Sequence, residues 1–379
     1  MKKIGILTQH LHDNYGGLLQ AYALQKFLTR QGHDVLTVDF LSKNIGETVN
    51  PKPSLWGIKE IVISCIRKYI LKRNVEFILP LNEAEKASIG RETRRFVAEN
   101  IRITQRLSSL EEFKYLDAYK FDAYIVGSDQ VWRPRYSPGL PAFFLDFLGE
   151  DTKTKRIAYA ASFGTDNCDE YSPEELVKYT ALCEKFDAIG VREDSAVELC
   201  KNNFCAKVEH VLDPTILLEK EDYIDLVNKD KIPESAGNMM VYVLDRSPEK
   251  QRMINQVAVV RGLKPFTVMP EGARGVFPPV TQWLRGFMDA EYVVTDSFHG
   301  VAFSIIFNKP FIAIGNEGRG LARFTSVLKK FDLEERLVLT ENELTKAKID
   351  AEIDFVKVNE IKKAEQEFAF KFLEEPLKD

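Results

Sequence analysis

Cysteine is scarce in this 379-residue chain, and its spacing shows neither a metal site nor a disulfide framework. The five cysteines are Cys65, Cys168, Cys183, Cys200 and Cys205, and none belongs to a CxxC pair. An odd number of irregularly spaced thiols is typical of reduced cytosolic proteins. His10 and His12 are close in sequence but have no carboxylate cluster at ligand spacing. We therefore expect no metal and no bound cofactor.

Long apolar runs and an excess of positive charge are also missing. No segment reaches the roughly 18 apolar residues that cross a membrane, and the first apolar run, from Ile4, already ends before Thr8. The formal net charge of −5 disfavours a nucleic-acid partner held by a basic surface. A chain with 45% hydrophobic residues can bury a core, and 379 residues exceed the usual size of one domain. We expect a cytoplasmic globular protein of two domains.

Short apolar segments alternate with amphipathic ones in two series. The first series has predicted strands at 3–8, 35–39, 122–126, 156–161 and 188–191. After a charged linker at 228–238, the second series has predicted strands at 239–244, 265–268, 292–295 and 311–314. Such alternation is typical of parallel α/β sheets. We predict an α/β fold with two Rossmann-like domains facing a cleft, residues 1–227 and 239–379, with the last helix, 355–374, packing back.

Residues 42–117 interrupt the first series and form a predicted basic helical insertion. From Leu55 to Arg106 there are eleven Lys and Arg against six Glu and no Asp. The segment 55–73 reads as a basic amphipathic helix, which is suited either to an anionic membrane surface or to packing on the domain. Peripheral membrane contact is therefore one of two open readings.

Ligands of parallel α/β domains bind beyond the carboxyl ends of the strands, and that rule selects several turns. The turn after the strand at 292–295 contains Ser297, His299 and Gly300 and opens a predicted helix. Free N–H groups and the helix dipole favour an anion there. His299 is placed to donate to a phosphate or a leaving oxygen. Ser297 is either a helix cap or a ligand contact.

Arginines follow two further strands. Arg192 comes directly after the strand at 188–191, and Arg319 and Arg323 lie on a glycine-rich stretch after 311–314. Guanidinium groups bind carboxylate and phosphate through paired hydrogen bonds. We predict anion contacts for Arg192 and for Arg319, with Arg323 as the competing candidate.

Two turns of the first series carry groups suited to a carbohydrate. The turn before the first helix holds Asn14, Tyr15, Gly16 and Gly17, where glycine allows close approach of a ligand. The turn after 122–126 holds Asp129, Gln130 and Trp132. A carboxylate and an amide bind hydroxyls, and an indole covers the apolar face of a sugar unless it belongs to the core.

Taken in order, these motifs resemble those of the polysaccharide pyruvyl transferases. The resemblance covers about residues 3–330 and rests on 14–17, 127–132, 160–164, 191–193, 212–215, 295–300 and 310–312. It implies a GT-B-like fold, phosphoenolpyruvate as donor, and a glycan or lipid-linked glycan as acceptor. It places a donor-binding histidine at His299, a strand-end arginine at Arg192, and a further basic residue at Arg319 or Arg323.

The expected reaction is pyruvyl ketal formation, with His299 assisting phosphate departure and Asp129 or Asp13 as general base. Asn14, Tyr15, Gly16, Gly17, Gln130 and Trp132 are the predicted acceptor contacts. Two alternatives stay open: a glycosyltransferase that uses a nucleotide-sugar, and a non-catalytic binding protein that keeps the anion pocket.

Overall fold

The computed structural model describes residues 1–41, 83–205, 207–272, 274–315 and 321–378. Arg319, the predicted basic helix at 55–73 and the rest of the insertion before residue 83 lie outside these residues. Within the described ranges, helices and strands are numbered in chain order.

Six strands of the first lobe form one parallel sheet in the order β2-β1-β3-β4-β5-β6. Their bounds are β1 Lys3–Leu7, β2 Asp34–Thr37, β3 Ala123–Val126, β4 Lys155–Ala161, β5 Ala188–Val191 and β6 Glu209–His210. The helices of this part are α1 Tyr15–Arg30, α2 Glu83–Ile89, α3 Arg91–Asn100, α4 Leu140–Phe143, α5 Pro173–Cys183, α6 Asp194–Asn203 and α7 Lys220–Asp230. β3 and the residues of β4 from Ile157 onward are apolar and buried because helices cover both faces of the sheet.

Five strands of the second lobe form another parallel sheet in the order β11-β10-β9-β7-β8. They are β7 Met239–Tyr242, β8 Pro265–Phe266, β9 Tyr292–Thr295, β10 Phe311–Ile314 and β11 Leu337–Val338. The helices are α8 Pro248–Arg261, α9 Val280–Asp289, α10 Phe298–Ile306, α11 Ala322–Lys330, α12 Lys346–Asp350 and α13 Phe355–Glu374. Two parallel sheets, one from each predicted series of strands, confirm the α/β fold.

Local sequence explains where the helices begin and end. Asn14 caps α1 by accepting a hydrogen bond from the Gly17 N–H, and Ser172 caps α5 in a reciprocal pair with Glu175. The predicted single helix near 83–98 is two helices that break at Gly90. A Cβ at Gly90 would overlap the Asp13 carboxylate, so glycine at this position allows that side chain to approach.

The core is continuous between the lobes. One apolar cluster contains Ile4 and Leu19 of the first lobe together with Trp283 and Val293 of the second. Tyr15 at the start of α1 stacks on Trp283 with ring centroids 5.7 Å apart, and its hydroxyl donates to the Pro278 carbonyl at 2.9 Å. Burial of this area fixes how the carboxyl edges of the two sheets face each other.

The last helix, α13, returns from the second lobe to the first. Lys362 on α13 donates to Glu219 at 2.7 Å, and Phe372 lies beside Tyr159 of β4 with ring centroids 6.1 Å apart. Near its end, Glu374 contacts the His33 ring at 3.1 Å. The lobes are therefore connected twice, by the segment that joins α7 to β7 and by α13.

Candidate active site at the facing sheet edges

Arg192 is the buried cation of the first lobe. It follows β5 directly, and its Nη1 donates to Asp213 Oδ2 at 3.0 Å and to Ser128 Oγ at 3.3 Å. Nη2 lies 3.6 Å from Asp129 Oδ1. Burial lowers the pKa of the Arg192 guanidinium, but the charges of Asp213 and Asp129 outweigh it and raise that pKa. Arg192 is therefore permanently charged.

His299 of the second lobe also faces Asp213, the aspartate that accepts the hydrogen bond from Arg192. It lies in the first turn of α10, and its Nε2 is 3.8 Å from Asp213 Oδ2. Among the described residues this nitrogen has no hydrogen-bond partner. Burial lowers the pKa of His299, and the opposing charge of Asp213 does not fully compensate. The ring is therefore neutral near pH 7 without a ligand, and a bound anion would raise its pKa.

Asp213 joins the lobes electrostatically, a role that was not predicted from sequence. It is fully buried, and its Oδ1 accepts hydrogen bonds from the Thr215 N–H at 3.0 Å and the Thr215 hydroxyl at 2.8 Å. Its Oδ2 faces both Arg192 and His299. The segment 212–215 belonged to the family motif, but only the tertiary structure shows its partners.

Arg323 adds a second guanidinium from the other side. It lies in the first turn of α11 and is 9% exposed. Burial and the charge of Arg192 together lower the pKa of Arg323 to about 10, and the charge of Asp129 opposes that shift. The charge of Arg192 thus disfavours the charged form of Arg323, and a bound anion would oppose this effect.

The amino end of α10 is not capped by a side chain. Ser297 is the residue before the helix, but its hydroxyl accepts no hydrogen bond from the first turn. Of the two alternatives for Ser297, the structure does not show side-chain capping, and the first N–H groups of α10 keep their positive potential. Gly300 does not line the cavity; a Cβ there would overlap the Thr295 hydroxyl, so glycine allows α10 to pack on β9.

A cavity of about 280 Å³ lies where these groups meet. It is lined by Asn14, Asp129, Gln130, Tyr136, Tyr242, Leu244, Asp296, Ser297, Phe298, His299, Arg323 and Phe324. Arg192 lies one layer behind this wall, where its guanidinium stacks on the Phe298 ring at 4.7 Å. Both lobes contribute to the cavity. The first lobe supplies Asn14, Asp129 and Gln130, and the second supplies His299, Arg323 and Asp296, whose carboxylate is paired with Lys250 at 2.6 Å.

Asp129 and Asp13, the two candidate bases, lie in different places. Asp129 lines the cavity in a left-handed backbone conformation with φ of 75°, which asparagine and aspartate tolerate best. Burial raises its pKa, but Arg192, His299 and Arg323 outweigh burial and lower it. Asp13 accepts a hydrogen bond from the Thr93 hydroxyl of α3 and does not line the cavity. Its placement does not support a role as base.

The predicted acceptor residues separate into two groups. Asn14 and Gln130 line the cavity. Tyr15 is 1% exposed and packs between the lobes, and Gly16 lies against His299, so neither is open to a sugar. Gly17 donates its N–H to the Asn14 cap and does not line the cavity.

The acceptor role expected for Trp132 is corrected by its burial. The indole is fully buried, stacks on Phe144 with ring centroids 5.1 Å apart, and donates to the Phe143 carbonyl at 2.9 Å. It belongs to the core because its apolar area and its N–H are both satisfied there. Tyr136 four residues later, which was not predicted, is the aromatic residue of this turn that lines the cavity.

The described residues hold no cluster of three or more His, Cys, Asp or Glu side chains placed to bind a metal ion. Nor does any helix in the described ranges have the length and apolar character needed to cross a membrane.

Comparison with known proteins gives a family and a fold. The sequence model of the family described as polysaccharide pyruvyl transferase matches residues 14–318. No curated protein matches the chain. Among solved structures, a Listeria monocytogenes protein assigned as a UDP-N-acetylglucosamine 2-epimerase is similar at a TM-score of 0.50 and 12% identity, covering 94% of this chain and 90% of its own.

Two further structures have lower TM-scores. The UDP-GlcNAc 2-epimerase from Neisseria meningitidis has a TM-score of 0.48 and 10% identity, with 97% of this chain and 94% of its own covered. The glycosyltransferase SsfS6 from Streptomyces sp. SF2575 has a TM-score of 0.41 and 13% identity, with 97% and 96% covered. At such identities the similarity concerns the fold alone, and the predicted GT-B-like fold is confirmed.

Proposed function

Because the chain belongs to the polysaccharide pyruvyl transferase family and is therefore a transferase, we propose that it transfers pyruvyl from phosphoenolpyruvate to a sugar. The acceptor is a sugar of a bacterial surface glycan or its lipid-linked precursor, and the product is a pyruvate ketal. Family membership supports pyruvyl transfer to a polysaccharide; the donor and the ketal are the proposed steps.

The cationic side of the cavity is the observation that supports phosphoenolpyruvate as the donor. His299, Arg323 and the uncapped end of α10 line it, and Arg192 supplies charge from behind. The Asp296 carboxylate also lines this side, but its charge is balanced by Lys250 at 2.6 Å. Phosphoenolpyruvate bears a phosphate and a carboxylate on three carbons, so a small site with several cations matches it. Binding would relieve the repulsion between Arg192 and Arg323 and restore the pKa of His299.

The cavity size favours this donor over a nucleotide-sugar. A volume of about 280 Å³ lies just below the range of about 300–1,000 Å³ that is usual for drug-sized ligands. A three-carbon phosphorylated acid fits within it. A nucleotide-sugar would extend well beyond the groups that carry the positive charge.

The chemistry follows from placing the phosphate at the cations. Protonation of the methylene carbon and attack of a sugar hydroxyl on C2 form the first C–O bond. The bond between C2 and the phosphate oxygen then breaks, and phosphate leaves with the bonding electron pair. A second hydroxyl of the sugar attacks C2 and loses its proton, which closes the ketal.

His299 and Asp129 have complementary roles in this scheme. A bound phosphate raises the pKa of His299, so the protonated ring is the group proposed to donate to the leaving oxygen. Asp129 stays ionised because Arg192, His299 and Arg323 together lower its pKa, and the ionised carboxylate is the group proposed to accept a hydroxyl proton. The carboxylate belongs to the first-lobe side of the cavity, within 3.6 Å of the Arg192 guanidinium.

The test is incubation of the enzyme and phosphoenolpyruvate with candidate free and lipid-linked glycans, followed by mass spectrometry. We expect a mass gain of one pyruvyl ketal together with release of inorganic phosphate. Melting curves with phosphoenolpyruvate, CMP-sialic acid and UDP-GlcNAc provide the second arm. Stabilisation by a nucleotide-sugar but not by phosphoenolpyruvate would overturn the proposal.

Membrane contact stays a separate prediction. The segment 55–73 that suggested it lies outside the described residues. Co-sedimentation with anionic liposomes should weaken when residues 50–80 are deleted, and equal sedimentation of the two proteins would remove the idea.

A further inference from the structure

Tyr136 combines exposure with a fixed position at the cavity. Its ring is 45% exposed and lines the cavity beside Asn14 and Gln130. It ends the 3₁₀ turn Pro134–Tyr136, which begins just after Arg133. Tyr136 thus presents a large, partly exposed aromatic ring to a charged cavity.

Arg133 holds one face of that ring. Its guanidinium lies 4.6 Å from the Tyr136 centroid, and its Nε donates to Glu170 Oε1 at 2.9 Å. Glu170 Oε2 also accepts the Arg135 N–H at 3.1 Å. The ion pair is largely buried, since the Arg133 side chain is 10% exposed. One face of the ring is thus occupied by a braced cation, and the turn that carries it is fixed.

The same arginine sets the orientation of the Gln130 amide. Arg133 Nη1 donates to Gln130 Oε1 at 3.0 Å. Because an arginine has only donors, the oxygen of the amide must face it, which leaves Nε2 as a donor. Asn14 is fixed in the same way, since its Oδ1 accepts the Gly17 N–H. Two amide NH₂ groups are therefore available at the first-lobe side of the cavity.

We propose that Tyr136, Asn14, Gln130 and Asp129 form the subsite for the acceptor sugar, with the Tyr136 ring as its stacking platform. This assignment rests on the proposed function. The C–H face of a pyranose ring covers the open face of Tyr136. The amides donate to hydroxyl oxygens, and Asp129 accepts the proton of the hydroxyl that attacks. The tyrosine takes the role that sequence reasoning gave to Trp132.

Saturation-transfer NMR with methyl glycosides of common hexoses and N-acetylhexosamines tests the platform without catalysis. We expect at least one glycoside to receive saturation on the protons of one ring face in the native protein. Tyr136→Ala should remove most of that signal, and Tyr136→Phe should retain it because the ring remains. Tyr115→Ala is the matched control, since Tyr115 is 48% exposed, has Lys114 over its ring, and does not line the cavity.

Kinetics separate the subsite from the reaction. With an acceptor found by mass spectrometry, Tyr136→Ala should raise the KM for the acceptor at least about tenfold and leave the phosphoenolpyruvate affinity unchanged. No saturation of any glycoside by the native protein, or equal signals from native and Tyr136→Ala protein, would overturn the platform. Sugar binding that depends on Tyr136 without phosphate release would instead overturn the proposed reaction and leave the subsite standing.

Discussion

Gly16 offers a sharp test of how the two lobes build the site. It lies in the first turn of α1, and a Cβ at this position would overlap the His299 ring of the other lobe. The next residue, Gly17, is a matched neighbour in the same turn. A Cβ at Gly17 would meet only the Asn14 side chain, at 3.3 Å, so a movement of a few tenths of an ångström accommodates it, and we expect Asn14 Oδ1 to keep the hydrogen bond from the Gly17 N–H.

The changes in melting temperature of the two alanine variants should therefore differ in sign. Alanine in place of glycine stabilises the interior of a helix by about 0.5–1 kcal/mol, and for these two first-turn positions we expect a gain of at most that size. Gly16→Ala also overpacks the interface, which costs about 1–3 kcal/mol. We expect Gly17→Ala to melt at or above the native temperature and Gly16→Ala to melt below it.

Displacement of His299 should affect catalysis more than stability. A shift of about 1 Å in a catalytic group can cost about a hundredfold in rate, so Gly16→Ala should lose turnover to that extent while staying folded. Differential scanning fluorimetry and phosphate release measure the two effects separately. Equal melting temperatures and equal turnover in the two variants would refute the contact between α1 and His299.

Three further predictions concern the charges. Asp213→Asn breaks a buried ion pair and should lower the free energy of unfolding by about 3–5 kcal/mol. Inorganic phosphate should raise the melting temperature of this variant more than that of the native protein, and the absence of such a difference would contradict the role of Asp213. Arg323→Met should weaken phosphoenolpyruvate binding at least about thirtyfold, from a loss of about 2 kcal/mol, whereas calorimetry on the exposed-surface control Arg252→Met should show native affinity. Because burial lowers the pKa of His299 and phosphate raises it again, donor binding should take up a proton and tighten as the pH falls from about 8 towards 6. Calorimetry in buffers of different ionisation enthalpy measures the proton uptake. Equal uptake in His299→Gln would assign the proton to another group.

Much of the fold is predictable because local pattern and tertiary burial agree. Apolar runs such as Tyr292–Thr295 and Phe311–Ile314 are buried throughout and occur at the expected positions. The rule that ligands bind at the carboxyl ends of parallel strands selected Arg192, Asp129 and His299, which the structure brings to one place.

The remaining features depend on contacts between distant segments. The sequence around Tyr15 suggests a ligand contact. Only the tertiary structure shows that Trp283, far along the chain, stacks on this residue. Trp132 and Tyr136 belong to one turn, and nothing local decides which ring enters the core. The strand order and the role of Asp213 depend likewise on how the lobes pack.

The return of α13 to the first lobe limits how the enzyme opens. The backbone crosses between the lobes near 231–238 and again before Phe355, so two crossings restrain any separation of the lobes. The Lys362–Glu219 pair and the contact of Phe372 with Tyr159 hold the second crossing against the first lobe. The distance between His299 and Asp213, one from each lobe, would measure any separation of the lobes.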